Sequence, residues 1–389
     1  MKPQNVRIVN RYYTPVKAGI EVALAQIFHY FDTRKSTITA YVSANTLSNA
    51  NVLPLAETID GVQVERYKTI AGAFLPTIPY EATDVLMLTN FTLMPHIIVF
   101  LTVAALQFMK KKHFKLVYFP CGGFTPNWHS FPRIQKTIKY TIHVLFGRIL
   151  LNYSADRIIA ISEWEKRQLV KNKINEKLVT VVPLAIEDYA FNSTKNAPIS
   201  TAVKNIVDRH PGYILQVSRV HPIKNIETTI KALARMEHPI PYVIAGGVEN
   251  AGYKEELQKL IQKNGLENMV IFAGKISTED KYFLIDNSLC MVHMSYNEAF
   301  GLSVYEGMSR GKVCIAANNS ALVEAVKNGV NGYLIGTTDD KTLAEKLTYL
   351  QQKSATSERK TIEAYNKTHM KAYTWKTTSQ KIQNIMFNG

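Results

Sequence analysis

The stretch NEAFGLSVYEGMSRGKV, residues 297–313, decides how this chain folds. It follows the apolar run CMVH at 290–293, turns through Phe300, Gly301 and Leu302, and continues as a helix toward the β-branched run VCIA at 313–316. Strand, loop, helix, strand is the repeating unit of a parallel sheet. Glu298 stands just before the turn and Glu306 in the helix after it.

Outward from this stretch the same alternation runs the length of the chain. Strands are expected at 6–10, 38–42, 84–89, 116–119, 157–161 and 179–182, then at 213–217, 242–245, 269–273, 290–293, 313–316 and 332–335. A polar, irregular connection at 192–198 separates the two series. The 389 residues exceed what one ordinary core organises, so the chain reads as two doubly wound α/β domains. Such sheets bind ligands at the carboxyl ends of their strands. The apolar segment at 91–109 approaches the length of a membrane span, but Pro95, His96 and Gln107 interrupt it. A buried crossover helix is the expectation.

Composition excludes other classes. Apolar residues make up 46% and charged residues 20%, without low-complexity tracts, so disorder and fibrous character are excluded. Cys121, Cys290 and Cys314 lack metal-site spacing, and no Asp-x-Asp metal motif occurs. With no signal-peptide pattern at the start, a reducing, cytoplasmic location is expected. The formal net charge is +15, which suggests a polyanionic partner or surface. Nucleic-acid motifs are lacking, however. Residues 85–155 contain no Asp or Glu but hold Lys110, Lys111, Lys112, Lys115, Arg133, Lys136, Lys139 and Arg148. Within them, 131–151 is a basic, apolar helical stretch of the kind that lies on anionic membranes, or equally a core helix with a solvated face.

Free N–H groups at a helix start attract phosphate or sugar oxygens, which makes Phe300, Gly301 and Leu302 candidates. A carboxylate there accepts hydrogen bonds from hydroxyls, and a nucleotide sugar offers two sets, Glu298 suiting the transferred sugar and Glu306 the ribose. Taken alone, the two acids also read as a dipole-favoured residue and a solvated one. In LQVSRVHPIKNIETTIKAL, 215–233, the cations Arg219 and Lys224 follow a strand and can neutralise a diphosphate. Gly246 ends the strand YVIAGG and permits close approach.

The stretch 298–335, EAFGLSVYEGMSRGKVCIAANNSALVEAVKNGVNGYLI, resembles the donor-site signature of the retaining GT-B glycosyltransferases of family 4, or group 1, with its two glutamates separated by seven residues. Arg219 and Lys224 are similar to that family's cation pair. By the same resemblance Gly246 lies in a donor-site turn, Lys275 and Ile276 against the nucleotide base, and Gly19 facing the diphosphate. The family's glycine pair is Ala18-Gly19 here, and Cys121 stands where many relatives carry histidine, with His129 nearby. Gly122, Gly123 and Ser162 would line the acceptor side.

The resemblance implies a GT-B fold, in which two Rossmann-like doubly wound domains face a central cleft. The expected acceptor domain is 1–190 and the donor domain 191–370, with a C-terminal helix, 371–389, packing back on the first. It implies a retaining hexosyltransferase that uses no metal or cofactor, takes a UDP- or GDP-linked sugar, and acts on a glycolipid or lipid-linked polysaccharide intermediate. Peripheral contact with an anionic membrane through 85–155 fits this reading. A non-catalytic partner of the same fold and a nucleotide-sugar epimerase are the alternatives.

Overall fold

The computed structural model describes residues 3–16, 19–32, 34–45, 53–70, 73–89, 94–124, 137, 141 and 146–388. The chain divides into two units, Met1–Leu184 with Trp375–Gly389, and Ala185–Thr374. These limits differ from 190/191 and 370/371 because the backbone changes partners earlier at one end and later at the other. The Ile186 N–H already donates to the Tyr373 carbonyl at 3.1 Å.

In the first unit the strands are β1 (Gln4–Val9), β2 (Ser36–Ser43), β3 (Ala56–Ile59), β4 (Val62–Tyr67), β5 (Val85–Leu88), β6 (Lys115–Tyr118), β7 (Arg157–Ala160) and β8 (Val179–Val181). They form one sheet in the order β3-β4-β2-β1-β5-β6-β7-β8. All pairs are parallel except β3 with β4. The hairpin β3–β4 was not anticipated, and its cause is local. Asp60 and Gly61 both adopt positive φ, 47° and 82°, the geometry of the tight turn that Asp-Gly favours.

The first unit's helices are α1 (Gly19–His29), α2 (Met94–Phe108), α3 (Arg148–Ser154) and α4 (Glu163–Lys171). Helix α1 buries Ala23, Leu24, Ile27 and Phe28, the spacing of one helical face. Helix α2 is not buried all round, as the sequence suggested. Val99, Phe100 and Val103 enter the core, whereas Leu101, Phe108 and Met109 are exposed. Among the described residues no helix is long and apolar enough to cross a membrane. Ala18, His129 and most of the stretch 131–151 lie outside the described residues.

The second unit is wholly parallel. Its helices α5 (Thr201–Arg209), α6 (Ile226–Arg235), α7 (Ala251–Lys263), α8 (Thr278–Asn287), α9 (Leu302–Ser309), α10 (Leu322–Ala325), α11 (Asp340–Gln351) and α12 (Thr356–His369) pack around six strands. These are β9 (Ile214–Val217), β10 (Tyr242–Ala245), β11 (Val270–Gly274), β12 (Cys290–His293), β13 (Cys314–Ala317) and β14 (Gly332–Ile335). Their order is β11-β10-β9-β12-β13-β14. The strand order therefore reverses between β9 and β12, the switch point at which doubly wound sheets bind ligands. Pairing of β12 with β9 stops at Met291 with Leu215, whereas pairing with β13 runs on to His293 with Ala316. The carboxyl ends of β9 and β12 thus form a fork.

The last helix, α13 (Trp375–Asn388), belongs to the first unit. Its Ser379 hydroxyl donates to the Ile27 carbonyl of α1 at 2.6 Å. Its Thr378 hydroxyl donates to the Pro183 carbonyl at 3.0 Å.

Candidate functional site

The fork between β9 and β12 holds two of the residues read from the sequence. After β9 the chain makes a short turn, Pro222–Lys224, closed by Asn225 in the left-handed region at φ 49°. Asn225 is fully buried and donates to the carbonyls of Met294 and Thr337 at 2.9 and 2.7 Å. Asparagine tolerates this conformation better than most residues, and here its amide also binds the two loops together. Lys224 is thereby aimed at Glu298, with Nζ 2.6 Å from Oε1.

Glu298 is set by its own loop. Its N–H donates to the Ser320 hydroxyl at 3.0 Å, and its carbonyl accepts from the Ala321 N–H at 3.1 Å. The same Oε1 also meets His293 Nε2 at 2.7 Å. The other ring nitrogen, Nδ1, lies 3.2 Å from the Ser303 hydroxyl. Among the described residues, Oε2 accepts no hydrogen bond. Burial by itself pushes the Glu298 carboxyl up, but the Lys224 ammonium and the His293 hydrogen bond outweigh it. The group ends well below the usual carboxylate range and is ionised near neutral pH. His293 was missed in the sequence; the signal was a polar residue closing an otherwise apolar strand at the switch point.

The other charged candidates are directed elsewhere. The Arg219 guanidinium pairs with Glu249 on the surface. Glu306 accepts from Lys281 of α8 at 2.8 Å, and that same Nζ donates to Glu187. Burial raises the Glu306 carboxyl, partly offset by Lys281. The expected group of two acids and two cations is thus one contacting pair, Lys224 with Glu298, and two residues paired apart. Charges out of full solvent take an opposite charge within reach, and for Arg219 and Glu306 that charge lies on a neighbouring loop or helix.

The helix start after Glu298 is built by packing. Gly301 caps α9 at φ 89°. The buried Phe300 ring stacks on Tyr305, with centroids 4.4 Å apart and planes at 5°, an apolar clasp around a helix start. Phe300 therefore orients the helix, and the amides of Leu302 and Ser303 precede the first helical hydrogen bond, accepted by the Gly301 carbonyl from Val304 N–H.

Gly246 has a steric reason to be glycine, since a Cβ there would lie 2.1 Å from the Ser218 carbonyl oxygen. The Gly246–Gly247 turn supports the loop that bears Arg219, with Val220 N–H donating to the Gly247 carbonyl at 2.9 Å. Lys275 is exposed and Ile276 half-buried in the loop after β11.

In the first unit, Gly19 begins α1 with nothing within 4 Å of where a Cβ would stand. Gly122 is left-handed, and the Gly123 N–H donates to the Pro120 carbonyl at 2.7 Å. Ser162 caps α4 by accepting from the Glu165 N–H. Cys121 is only partly buried and itself left-handed at φ 47°. Its thiol is pushed well above the usual range by burial and by Glu165 and Glu21. Glu165 was also missed, although Ser162-x-x-Glu165 is a helix-start pattern legible in the sequence.

The comparisons with known proteins agree with this architecture. Over 98% of this chain and 99% of the other, the fold superposes at a TM-score of 0.76 on Anabaena Alr3699/HepE, solved in complex with UDP and glucose and 18% identical. The fold is GT-B. Residues 201–369 match the family described as glycosyl transferases group 1. The Dictyostelium discoideum α-1,3/1,6-mannosyltransferase ALG2 is 40% identical over 101 residues, 25% of this chain and 24% of the relative. A Methanocaldococcus jannaschii protein named as an uncharacterised glycosyltransferase, MJ1069, is 26% identical over 236 residues, 60% of this chain and 57% of the relative. The chain thus spans from about a quarter to just over half the length of these two curated relatives.

Proposed function

We propose that the protein is a retaining, metal-independent glycosyltransferase that moves a hexosyl group from a nucleoside diphosphate sugar to a hydroxyl. The observation that carries this reading is the Lys224–Glu298 pair at the switch point. Lys224 faces the leaving diphosphate, where negative charge develops, and a preorganised cation is worth most there. Glu298 holds the ammonium through Oε1 and offers Oε2 to a sugar hydroxyl. The bond from the anomeric carbon to the phosphate oxygen breaks as the acceptor oxygen bonds to that carbon on the same face. The acceptor's proton passes to the departing phosphate. Arg219 joins by exchanging Glu249 for the diphosphate, an inexpensive exchange because an exposed pair contributes only about 0–1 kcal/mol. The names of the matched relatives and the UDP complex of the structural neighbour support the same reading.

Thermal shifts with UDP, GDP, dTDP and ADP test it. One nucleotide is expected to stabilise the protein by about 2.7 kcal/mol at 100 times its dissociation constant, and no shift with any of the four removes the donor assignment. Release of nucleoside diphosphate in the presence of acceptor separates an enzyme from a non-catalytic protein of the same fold.

A lipid-linked acceptor at an anionic membrane fits the exposed apolar residues of α2 and the adjoining Lys110 and Lys111. Phe146, Ile149 and Tyr153 at α3 are exposed as well. Aromatic and aliphatic groups beside lysines favour such surfaces. Co-sedimentation with phosphatidylglycerol vesicles at low salt, lost at high salt, is the expected result. Absence of binding at low salt rejects membrane contact and leaves the donor chemistry standing.

A further inference from the structure

The turn after β6 contains two successive left-handed residues, Cys121 at φ 47° and Gly122 at φ 83°. That conformation is unfavourable for a cysteine, so the fold must hold it in place. The side chain that does so is Glu165, from the first turn of α4. One carboxylate oxygen accepts from the Gly122 N–H at 2.5 Å and the other from the Ile161 N–H at 2.8 Å. The Glu165 N–H in turn donates to the Ser162 hydroxyl at 3.1 Å. In an ordinary capping box the glutamate returns to the N–H of the capping residue itself. Here it reaches one residue further back, to the end of β7, and across to the turn of β6. A carboxylate only 1% exposed therefore ties the turn that carries Gly122 to the junction of β7 and α4 at Ile161.

We propose that Glu165 is a positioning residue that fixes the Cys121–Gly122 turn in the form the first unit presents to the acceptor. The turn's service to an acceptor rests on the function proposed above; the tether itself does not. Burial pushes the Glu165 carboxyl up to about 7, against the two N–H groups that lower it. The other titratable groups around the turn are Tyr118 and Cys121 of the β6 segment, both of which feel the Glu165 charge, and Glu21 of α1, which acts on Cys121. Above this pH both oxygens of Glu165 accept. Below it, the added proton turns one of them into a donor that faces an N–H, and the turn loosens.

The rate at which Cys121 reacts with dithionitrobenzoate in the full chain reports the turn together with the Glu165 charge that the thiol feels, with the buried Cys290 and Cys314 as internal controls, and the amide measurement below separates the two. Glu165→Gln keeps the shape of the side chain but points an NH2 group at one of the two amides. At pH 8, Cys121 in the variant is expected to react at least tenfold faster than in the wild type, with Cys290 and Cys314 unreactive in both. At pH 6, where the wild-type carboxyl is itself largely neutral, the ratio is expected to fall toward one. A ratio near one at pH 8, the same ratio at both pH values, or joint labelling of all three thiols overturns the proposal. A second measurement needs no variant. In the wild type, protection of the Gly122 amide against hydrogen exchange is expected to fall at least tenfold between pH 8 and pH 6, and constant protection likewise overturns the proposal. The nucleotide shift belongs to the second unit, so a chain with the labelling ratio and no nucleotide shift keeps the tether and loses the proposed activity.

Discussion

Replacing Lys224 by alanine is expected to lower the rate of glycosyl transfer by about 10²–10³, the range found when one preorganised stabiliser of developing charge is removed. The expectation follows from how firmly the ammonium is placed. It lies 2.6 Å from Glu298, largely out of solvent, on a turn locked by the buried Asn225. A flexible surface lysine would have to be ordered at the moment of reaction, whereas this one is already in position. The variant also leaves Glu298 with His293 as its remaining partner, so the carboxyl loses the strongest influence opposing its burial and its pKa rises. The measurement is single-turnover transfer at saturating donor, which separates the chemical step from binding. A loss of less than tenfold would remove Lys224 from the charge-stabilising role.

The second large effect concerns stability. Gly246→Ala is expected to cost about 3 kcal/mol, the upper range of overpacking, because the added Cβ would meet backbone and not a side chain that can turn away. It would stand 2.1 Å from the Ser218 carbonyl oxygen and 2.6 Å from its carbon. Neither side of this crossing moves freely. Ser218 N–H is bonded to the Ala245 carbonyl at 3.0 Å and Gly246 N–H to the Gly274 carbonyl at 2.8 Å. With an ordinary urea dependence of about 1–3 kcal/mol per molar, the unfolding midpoint of the second unit should drop by about 1–3 M. The adjacent Gly247→Ala is the control. No atom lies within 4 Å of its Cβ position, so its change should stay within about 0.5 kcal/mol. Equal effects at the two positions would refute the steric argument.

Much of this fold was legible because parallel sheets buried on both faces write themselves as apolar runs. The runs VLML of β5 and CMVH of β12 are buried at every position. Their ends shifted by a residue or two because a strand stops where its ladder of hydrogen bonds stops, which depends on the neighbouring strand. In the β3–β4 hairpin, β3 escaped because its residues alternate between exposed and half-buried, although β4 buries every second residue. An Asp-Gly pair was its one strong mark. In the site, Lys224 and Glu298 could be placed by their position after strands, since both strands border the reversal of order. The pairing of Arg219 and Glu306 could not. Their partners Glu249 and Lys281 lie 30 and 25 residues away in the chain, and spacing does not say which opposite charge a long side chain will reach. Glu165 was hidden for a related reason, because its local pattern announces a helix start, while its second bond crosses 43 residues to Gly122.

The eight-stranded sheet ends in two abbreviated margins, four residues of β3 on one side and three of β8 on the other. Unpaired margins are where another chain can add itself by main-chain bonding, and short ones offer it little to hold. At β3, Glu57 stands opposite Val64 and forms an ion pair with the buried Arg66 of β4. The acid of this outermost strand is thus engaged in closing the hairpin, and it is the shortness of the strand that limits what this rim offers an added chain.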